Sequence, residues 1–239
     1  MPRMDAGPIL DRLLASRLGV DVQSWLTAAV RQSAAGQRTS LVLAFSSAGR
    51  RCGRAPLALN ADEKLQFSEE FPGVDASTWT VDQLARLRLV LAWPAVEPAP
   101  FMAMLDDLFA AAAVEEAVAL YQGLALLPHP THLRERAAVG IRSSLTPLLA
   151  AVALGNSYPS AWLEEEPFCQ MVLKCAFNGL ALERIVGLDR RACPRLAGML
   201  TDFIRERLAA KRVVAEDVWA VAERLADAAV IAQLRPGVR

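Results

Sequence analysis

Residues 167 to 179 read PFCQMVLKCAFNG, an apolar segment of helical length whose polar side chains are Gln170, Lys174 and Asn178. Their regular spacing would confine them to a stripe of roughly 80° along one side of an α-helix. A helix that is apolar around the rest of its circumference belongs in the middle of a domain. The stripe then faces either a thin strip of solvent or an internal polar pocket, and the pocket alternative is the first indication of function.

Helical spacing continues through the rest of the chain. Apolar residues recur at i, i+3 and i+4 within 9–18 and 22–30, and Thr80 with Gln83 has the pattern of a capping box. A short apolar run over 40–45 is predicted as helix because no partner strand follows it. Further helices are predicted over 80–93, 101–113, 114–126, 134–141, 147–154, 194–210 and 215–231. These elements predict an all-α fold, an irregular helical bundle or α-solenoid-like array of about ten helices.

The early chain is less regular. Pro56, Pro72 and Gly73 interrupt residues 54–79, which predicts a long surface loop there. We therefore expect an N-terminal helical extension and loop over residues 1–78. The main helical domain is expected over residues 79–234, and the two parts are expected to form one continuous globule.

Composition and hydropathy limit the cellular locations and the classes of partner that can be expected for this chain. The 239 residues are 54% hydrophobic, with a mean hydropathy of +0.25 and a formal net charge of zero. No apolar run reaches the roughly eighteen residues of a membrane span, so no transmembrane segment is predicted. The N-terminus lacks the apolar core of a signal peptide, which favours a cytoplasmic location. The basic region over 31–54 lacks interleaved aromatic side chains, which argues against a nucleic-acid partner.

Standard catalytic and metal motifs are missing from the sequence. The four cysteines contain no CxxC pair and are predicted to be reduced thiols. The run from His129 to Glu135 has two histidines and a glutamate, but nearby prolines break its helical geometry, so no metal site is predicted. No GxSxG, GxGxxG, Walker or HExxH motif occurs, which argues against the usual hydrolases, dehydrogenases and NTPases.

An Asp-Asp pair ending at Asp107 resembles the acidic helix of class I terpene synthases. Asn156, Ser160 and Glu164 have the spacing of the second metal motif of those enzymes. Mg²⁺ ions held there would bind a diphosphate and would make Asp107 catalytic. A third acid is missing from the first motif, and a proline interrupts the second. Outside this diphosphate alternative no cofactor is expected.

The turn over 187–194 is dense in charge. It ends in a proline at the first position of the next helix, which makes Cys193 the N-cap. Asp189, Arg190 and Arg191 either form an ion pair that fixes the turn or bind an anion near the helix N-terminus.

Lys174 is one of only three lysines in a chain with many arginines. Its compact ammonium lies among apolar residues, where it could serve proton chemistry or pair with Asp189. The alternative is a side chain that snorkels from the helix surface to water.

The second half of the chain resembles the EboA family of metabolite-traffic operon proteins. The resemblance covers about residues 79–215 and rests on ALYQGLALLP at 119–128, NSYP at 156–159, QMVLK at 170–174 and IVGLDRRA at 185–192. It implies an all-helical protein that moves or matures a secondary metabolite, encoded beside a prenyltransferase of the UbiA type. Matching polar positions are Tyr121, Arg142, Asn156, Tyr158, Gln170, Lys174, Asp189, Arg190 and Arg191.

The chain also departs from the pattern of that family. The family usually has Trp-Asn where Phe168-Cys169 stands, and Asn where Cys193 stands. These changes make the presumed centre less polar. They suit an apolar ligand of terpenoid or polyketide type.

Three functional hypotheses follow. The first is binding of a mostly apolar metabolite, with Gln170, Lys174 and Asn178 along one wall, the charged turn at one end and Tyr158 nearby. The second is a noncanonical cyclase or isomerase of isoprenoid-type substrates that uses Lys174 or Asp107. The third is a scaffold for neighbouring biosynthetic enzymes.

Overall fold

The computed structural model describes residues 6–235, and within them the chain is all-α, as its sequence predicts. This range holds fourteen α-helices and four short 3₁₀ helices, with no β-strand. No helix in it is both long and apolar enough to cross a bilayer. The chain divides into two compact units, Met1–Glu135 and Arg136–Arg239. Residues 79–135, which the sequence assigns to the main domain, thus lie in the first unit.

The first unit is built around one apolar helix, α5. Its neighbours α1, α2, α3 and α7 all pack against it, and Leu84, Leu89 and Val90 on it are fully buried. This central position carries two charged side chains of the same helix, Asp82 and Arg86, into the interior. The seven helices α1 to α7 are Gly7–Ala15, Val20–Ala34, Arg38–Cys52, Ala61–Glu70, Val81–Leu91, Pro98–Ala111 and Val114–Gln122.

The predicted surface loop over 54–79 is wrong, because α4 lies inside it. Asn60 caps this helix: its Oδ1 accepts from the Glu63 amide at 2.9 Å, and its own amide donates to Glu63 Oε2 at 3.0 Å. Phe67 on α4 is buried and meets the Trp79 ring edge-on, with 5.9 Å between the ring centroids. The proline and glycine residues lie on either side of α4, and the helix between them is anchored to the core through Phe67.

The second unit is built around α11 and α12. The seven helices α8 to α14 are Arg134–Arg142, Thr146–Ala153, Tyr158–Trp162, Glu165–Phe177, Pro194–Ala209, Glu216–Leu225 and Ala228–Leu234. Helix α11 packs against α9 and α12, and α12 packs against α13 and α14. Helix α11 buries one face, formed by Phe168, Cys169, Met171, Val172, Cys175 and Ala176, while Phe177 at its end is 57% exposed. It is therefore less enclosed than its apolar sequence predicts.

The single helix predicted over 215–231 is divided into α13 and α14. Asp227 lies at the break with an extended backbone, and its Oδ1 accepts from the Ala229 amide at 2.7 Å. This N-cap starts a new helix where the apolar spacing predicts one continuous helix. The unpredicted α4, the short α10 and the division of α13 from α14 raise the number of α-helices in the described residues to fourteen.

Candidate functional site

The polar stripe of α11 does not face an internal pocket. Gln170 and Asn178 are exposed, so the solvent alternative describes their surroundings and the prediction that they wall an enclosed pocket is wrong. Asn178 ends the helix, and its Nδ2 donates to the Lys174 carbonyl at 2.8 Å.

Lys174 closes the end of a neighbouring helix in the same unit. Its Nζ donates to the carbonyl oxygens of Ile141 at 2.5 Å and Ser143 at 2.7 Å, where α8 ends. A cation suits this position because the last carbonyls of a helix lack intrahelical partners and carry partial negative charge. The predicted pair with Asp189 is wrong, because Asp189 instead pairs with Arg224 at 3.1 Å.

The charged turn before α12 is held by its arginines. Arg191 donates to the carbonyls of Ser160 at 2.9 Å and Leu163 at 2.8 Å, and its guanidinium lies 4.8 Å from the centroid of the Phe168 ring. Arg190 is exposed and, within residues 6–235, makes no ion pair. The turn therefore uses Arg191 to fix the end of α10 and leaves Arg190 in solvent.

The remaining residues of the family resemblance occupy two different units. Asn156 is buried and fixes its own turn, with Nδ2 donating to the Ala151 carbonyl at 3.2 Å and Oδ1 accepting from the Tyr158 amide at 3.0 Å. Tyr158 is buried beside it, and Arg142 is exposed at the end of α8. Tyr121 is buried in the first unit, with its ring 4.9 Å from that of Phe109.

The acidic residues do not fit a magnesium–diphosphate site. Asp107 forms a surface ion pair with Arg38. Asn156 precedes α10, Ser160 lies inside α10 and Glu164 is the N-cap of α11, so the second motif is spread over different elements. Within residues 6–235 no three His, Cys, Asp or Glu side chains are grouped to hold a metal ion.

Ser160 and the histidines of the run from His129 to Glu135 also have positions that local structure explains. Ser160 lies inside α10 and does not cap the next helix, because Glu164 is the N-cap of α11. His129 adopts a left-handed backbone at φ 53°, and its Nε2 lies 2.9 Å from the Ala95 carbonyl oxygen.

A groove in the second unit was not foreseen from the sequence. It lies among α12, α13, α14 and the turn before α12, and its volume is about 550 Å³. Cys193, the predicted N-cap, forms part of its wall with Gly198. The other lining residues are the apolar Ala192, Pro194, Ala197, Leu225, Ala226 and Val230 and the polar Thr201, Arg205, Arg224 and Asp227.

Gly198 has no packing reason to be a glycine. A Cβ at Gly198 would meet no atom within 4 Å, whereas one at Gly49 in α3 would lie 3.2 Å from Arg86 Nη2. A Cβ at Gly123 would lie 2.4 Å from a methyl of Leu87. Glycine inside a helix costs about 1 kcal/mol relative to alanine. The space in front of Gly198 is the groove, so this residue keeps the groove wide at the expense of helix stability.

A buried charged cluster in the first unit was also not predicted from the sequence. Arg86 is 2% exposed and pairs with Asp82, while its Nη2 lies 3.5 Å from Glu116 Oε1. The Thr80 hydroxyl donates to the second oxygen of Asp82 at 2.5 Å. Burial, reinforced by the Asp82 carboxylate, raises the pKa of the nearby Cys52 thiol to about 11. The signal was the i, i+4 spacing of Asp82 and Arg86 inside an apolar helix.

The comparisons with known proteins identify the family. A family model described as "Metabolite traffic protein EboA" matches residues 7–223, so the match covers the early chain as well as the region where the resemblance was noticed. No curated protein and no solved structure matches the chain. With most of its length matched, the chain belongs to the EboA family of metabolite traffic proteins.

Proposed function

We propose that this chain binds a mostly apolar metabolite of terpenoid or polyketide type in the groove of α12, α13 and α14. The observation that carries the proposal is Gly198, a helical glycine whose missing side chain opens onto the groove. The family description, metabolite traffic, agrees with a binding role.

The size and lining of the groove support a ligand of this class. Small-molecule sites usually have volumes of about 300–1,000 Å³, with apolar walls and a few polar groups. Its two arginines are already paired with acids, Arg205 with Asp202 at 2.8 Å and Arg224 with Asp189 at 3.1 Å. Because these ion pairs largely neutralise the two charges, the groove suits an apolar body with a small polar end.

The enzyme and scaffold hypotheses gain no specific support from the described residues. Lys174 caps a helix and Asp107 pairs at the surface, so neither is placed for chemistry in this groove. The proposed function is therefore to bind the metabolite.

The test measures binding of a defined probe to the wild-type protein and to a variant in which a larger side chain fills the groove. Farnesol serves as the terpenoid probe, and glucose as the polar control, in thermal unfolding and in alkylation of Cys193 by N-ethylmaleimide. Farnesol should raise the unfolding midpoint and slow alkylation of Cys193, whereas glucose should do neither. Gly198→Trp should abolish both effects, because an indole would occupy the open space.

Glu206→Trp is the matched control. It adds the same bulk at an exposed position of α12 that does not line the groove. If Gly198→Trp folds and still responds to farnesol as Glu206→Trp does, the ligand does not bind in this groove. Native mass spectrometry of the protein from its producing host would then show whether any small molecule co-purifies.

A further inference from the structure

We propose that Cys169 and Cys193 are a dithiol that hydroperoxides convert to a reversible disulfide joining α11 to the start of α12. The Sγ atoms of these residues lie 3.6 Å apart, and both cysteines are free thiols in this structure. A disulfide bond of about 2.05 Å requires the sulfurs to approach by roughly 1.5 Å.

The two thiols differ in exposure, which sets the order of events. Cys193 is half-buried and lines the open groove, so an oxidant reaches its sulfur from solvent. Cys169 is fully buried on α11, and this burial, with the neighbouring Cys193 thiol, raises its pKa to about 12. Cys193 is therefore the sulfur that reacts first with the oxidant, and Cys169 then attacks the product to form the disulfide.

The reaction balances with the hydroperoxide as the only oxidant. The Cys193 thiolate attacks the terminal peroxide oxygen, the O–O bond breaks, and the released alkoxide or hydroxide takes up a proton. The resulting sulfenic acid is attacked by Cys169 Sγ; the S–S bond forms, and hydroxide leaves with the Cys169 proton as water. Two thiols are oxidised, and the peroxide is reduced to an alcohol or water.

The other two cysteines are not placed for this reaction. All four cysteines lie within residues 6–235, and the only sulfur–sulfur contact described joins Cys169 to Cys193. Cys175 is buried nearly two turns further along α11, and burial raises the pKa of its thiol to about 12. Cys52 belongs to the first unit. These two are internal controls in the same molecule.

The experiment treats the reduced full-length protein with hydrogen peroxide, removes the peroxide, unfolds the protein in denaturant so that buried thiols also react, blocks the remaining thiols with N-ethylmaleimide and maps peptides by mass spectrometry. We expect a protein lighter by two hydrogen atoms, two alkylated thiols rather than four, and one cross-linked peptide pair joining positions 169 and 193. Dithiothreitol should restore all four thiols. Cys193→Ser should fold, since serine is a good N-cap, and should form no cross-link. Cys175→Ala should cross-link as the wild type does.

Three results would overturn the proposal. One is a cross-link through Cys52 or Cys175 or between two molecules. Another is Cys193 oxidised to sulfinic acid while Cys169 remains alkylatable. The last is four free thiols after a dose of peroxide that oxidises N-acetylcysteine in the same tube. None of these readouts depends on ligand binding in the groove.

Discussion

At the scale of single residues, the Glu63 side chain interacts both with a backbone amide and with a cation. Its carboxylate receives the Asn60 amide at 3.0 Å and the Arg17 guanidinium at 2.6 Å and 2.9 Å. The hydrogen bonds from Arg17 lower the pKa of Glu63 below its ordinary 4.5. A carboxyl whose pKa is lower in the folded protein stabilises the fold above its unfolded pKa, and that stabilisation is lost as the pH falls.

Replacing Glu63 with glutamine isolates the charge. Glutamine keeps the backbone hydrogen bond of a capping box but loses the ion pair with Arg17. We expect Glu63→Gln to lower the free energy of unfolding by about 1 kcal/mol at pH 7. As the pH falls through the lowered pKa of Glu63, the wild-type carboxyl takes up a proton and the difference between the two proteins should shrink. Urea unfolding over a series of falling pH values measures this, and a loss that does not change with pH would show that the charge is not the cause.

At the scale of the element, the Lys174 side chain caps the C-terminal end of α8. Its ammonium serves two carbonyls that would otherwise lack a protein donor. We expect Lys174→Met to reduce the free energy of unfolding by about 2 kcal/mol, the usual range for a hydrogen-bonding charged group. Gln170→Met, one turn earlier on α11 and exposed, should change it by less than about 0.5 kcal/mol. Chemical denaturation separates the two; similar small effects would mean that water replaces the lysine.

Helix α5 offers a comparison of a buried and a surface ion pair. Arg86 is buried with Asp82, whereas Arg88 pairs with Asp11, whose side chain is 54% exposed. Arg86→Met leaves Asp82 charged in the interior, and we expect a loss of about 3–5 kcal/mol. Arg88→Met should cost about 1 kcal/mol or less, because solvent screens that pair. Unfolding curves of both variants decide this, and equal losses would mean that water reaches Asp82 in the Arg86→Met variant.

For the whole molecule, the point of division between the two units is informative. It falls between Glu135 and Arg136, inside α8, and not in a proline- or glycine-rich linker. A helix forms cooperatively, so opening one end of α8 disturbs the other. We expect the units to unfold together in urea, in agreement with the continuous globule predicted from the sequence. Hydrogen exchange of α5 and α12 should lose protection at one midpoint; two separate midpoints would indicate independent domains.

Several local signals were predictable from the sequence because they depend on neighbours in the chain. Gln83 does accept from the Thr80 amide at 2.9 Å, and Cys193 is the N-cap before Pro194. The apolar positions of α11 also predicted that this helix buries a face, although Phe177 at its end is exposed. Helix α4 was missed because its flanking breakers conceal a short helix whose burial depends on Phe67 meeting Trp79.

By itself, the sequence determined the all-α class and most helix positions, because helical periodicity and capping act over a few residues. The family also follows from the sequence, through the motifs and the family model that match it. Only the tertiary structure decided which way the polar stripe of α11 points and what Lys174 contacts, because α8 supplies those partners from some thirty residues away. It also decided that α12, α13 and α14 leave a groove in front of Gly198. A groove is the space between packed elements, and no single segment encodes that space.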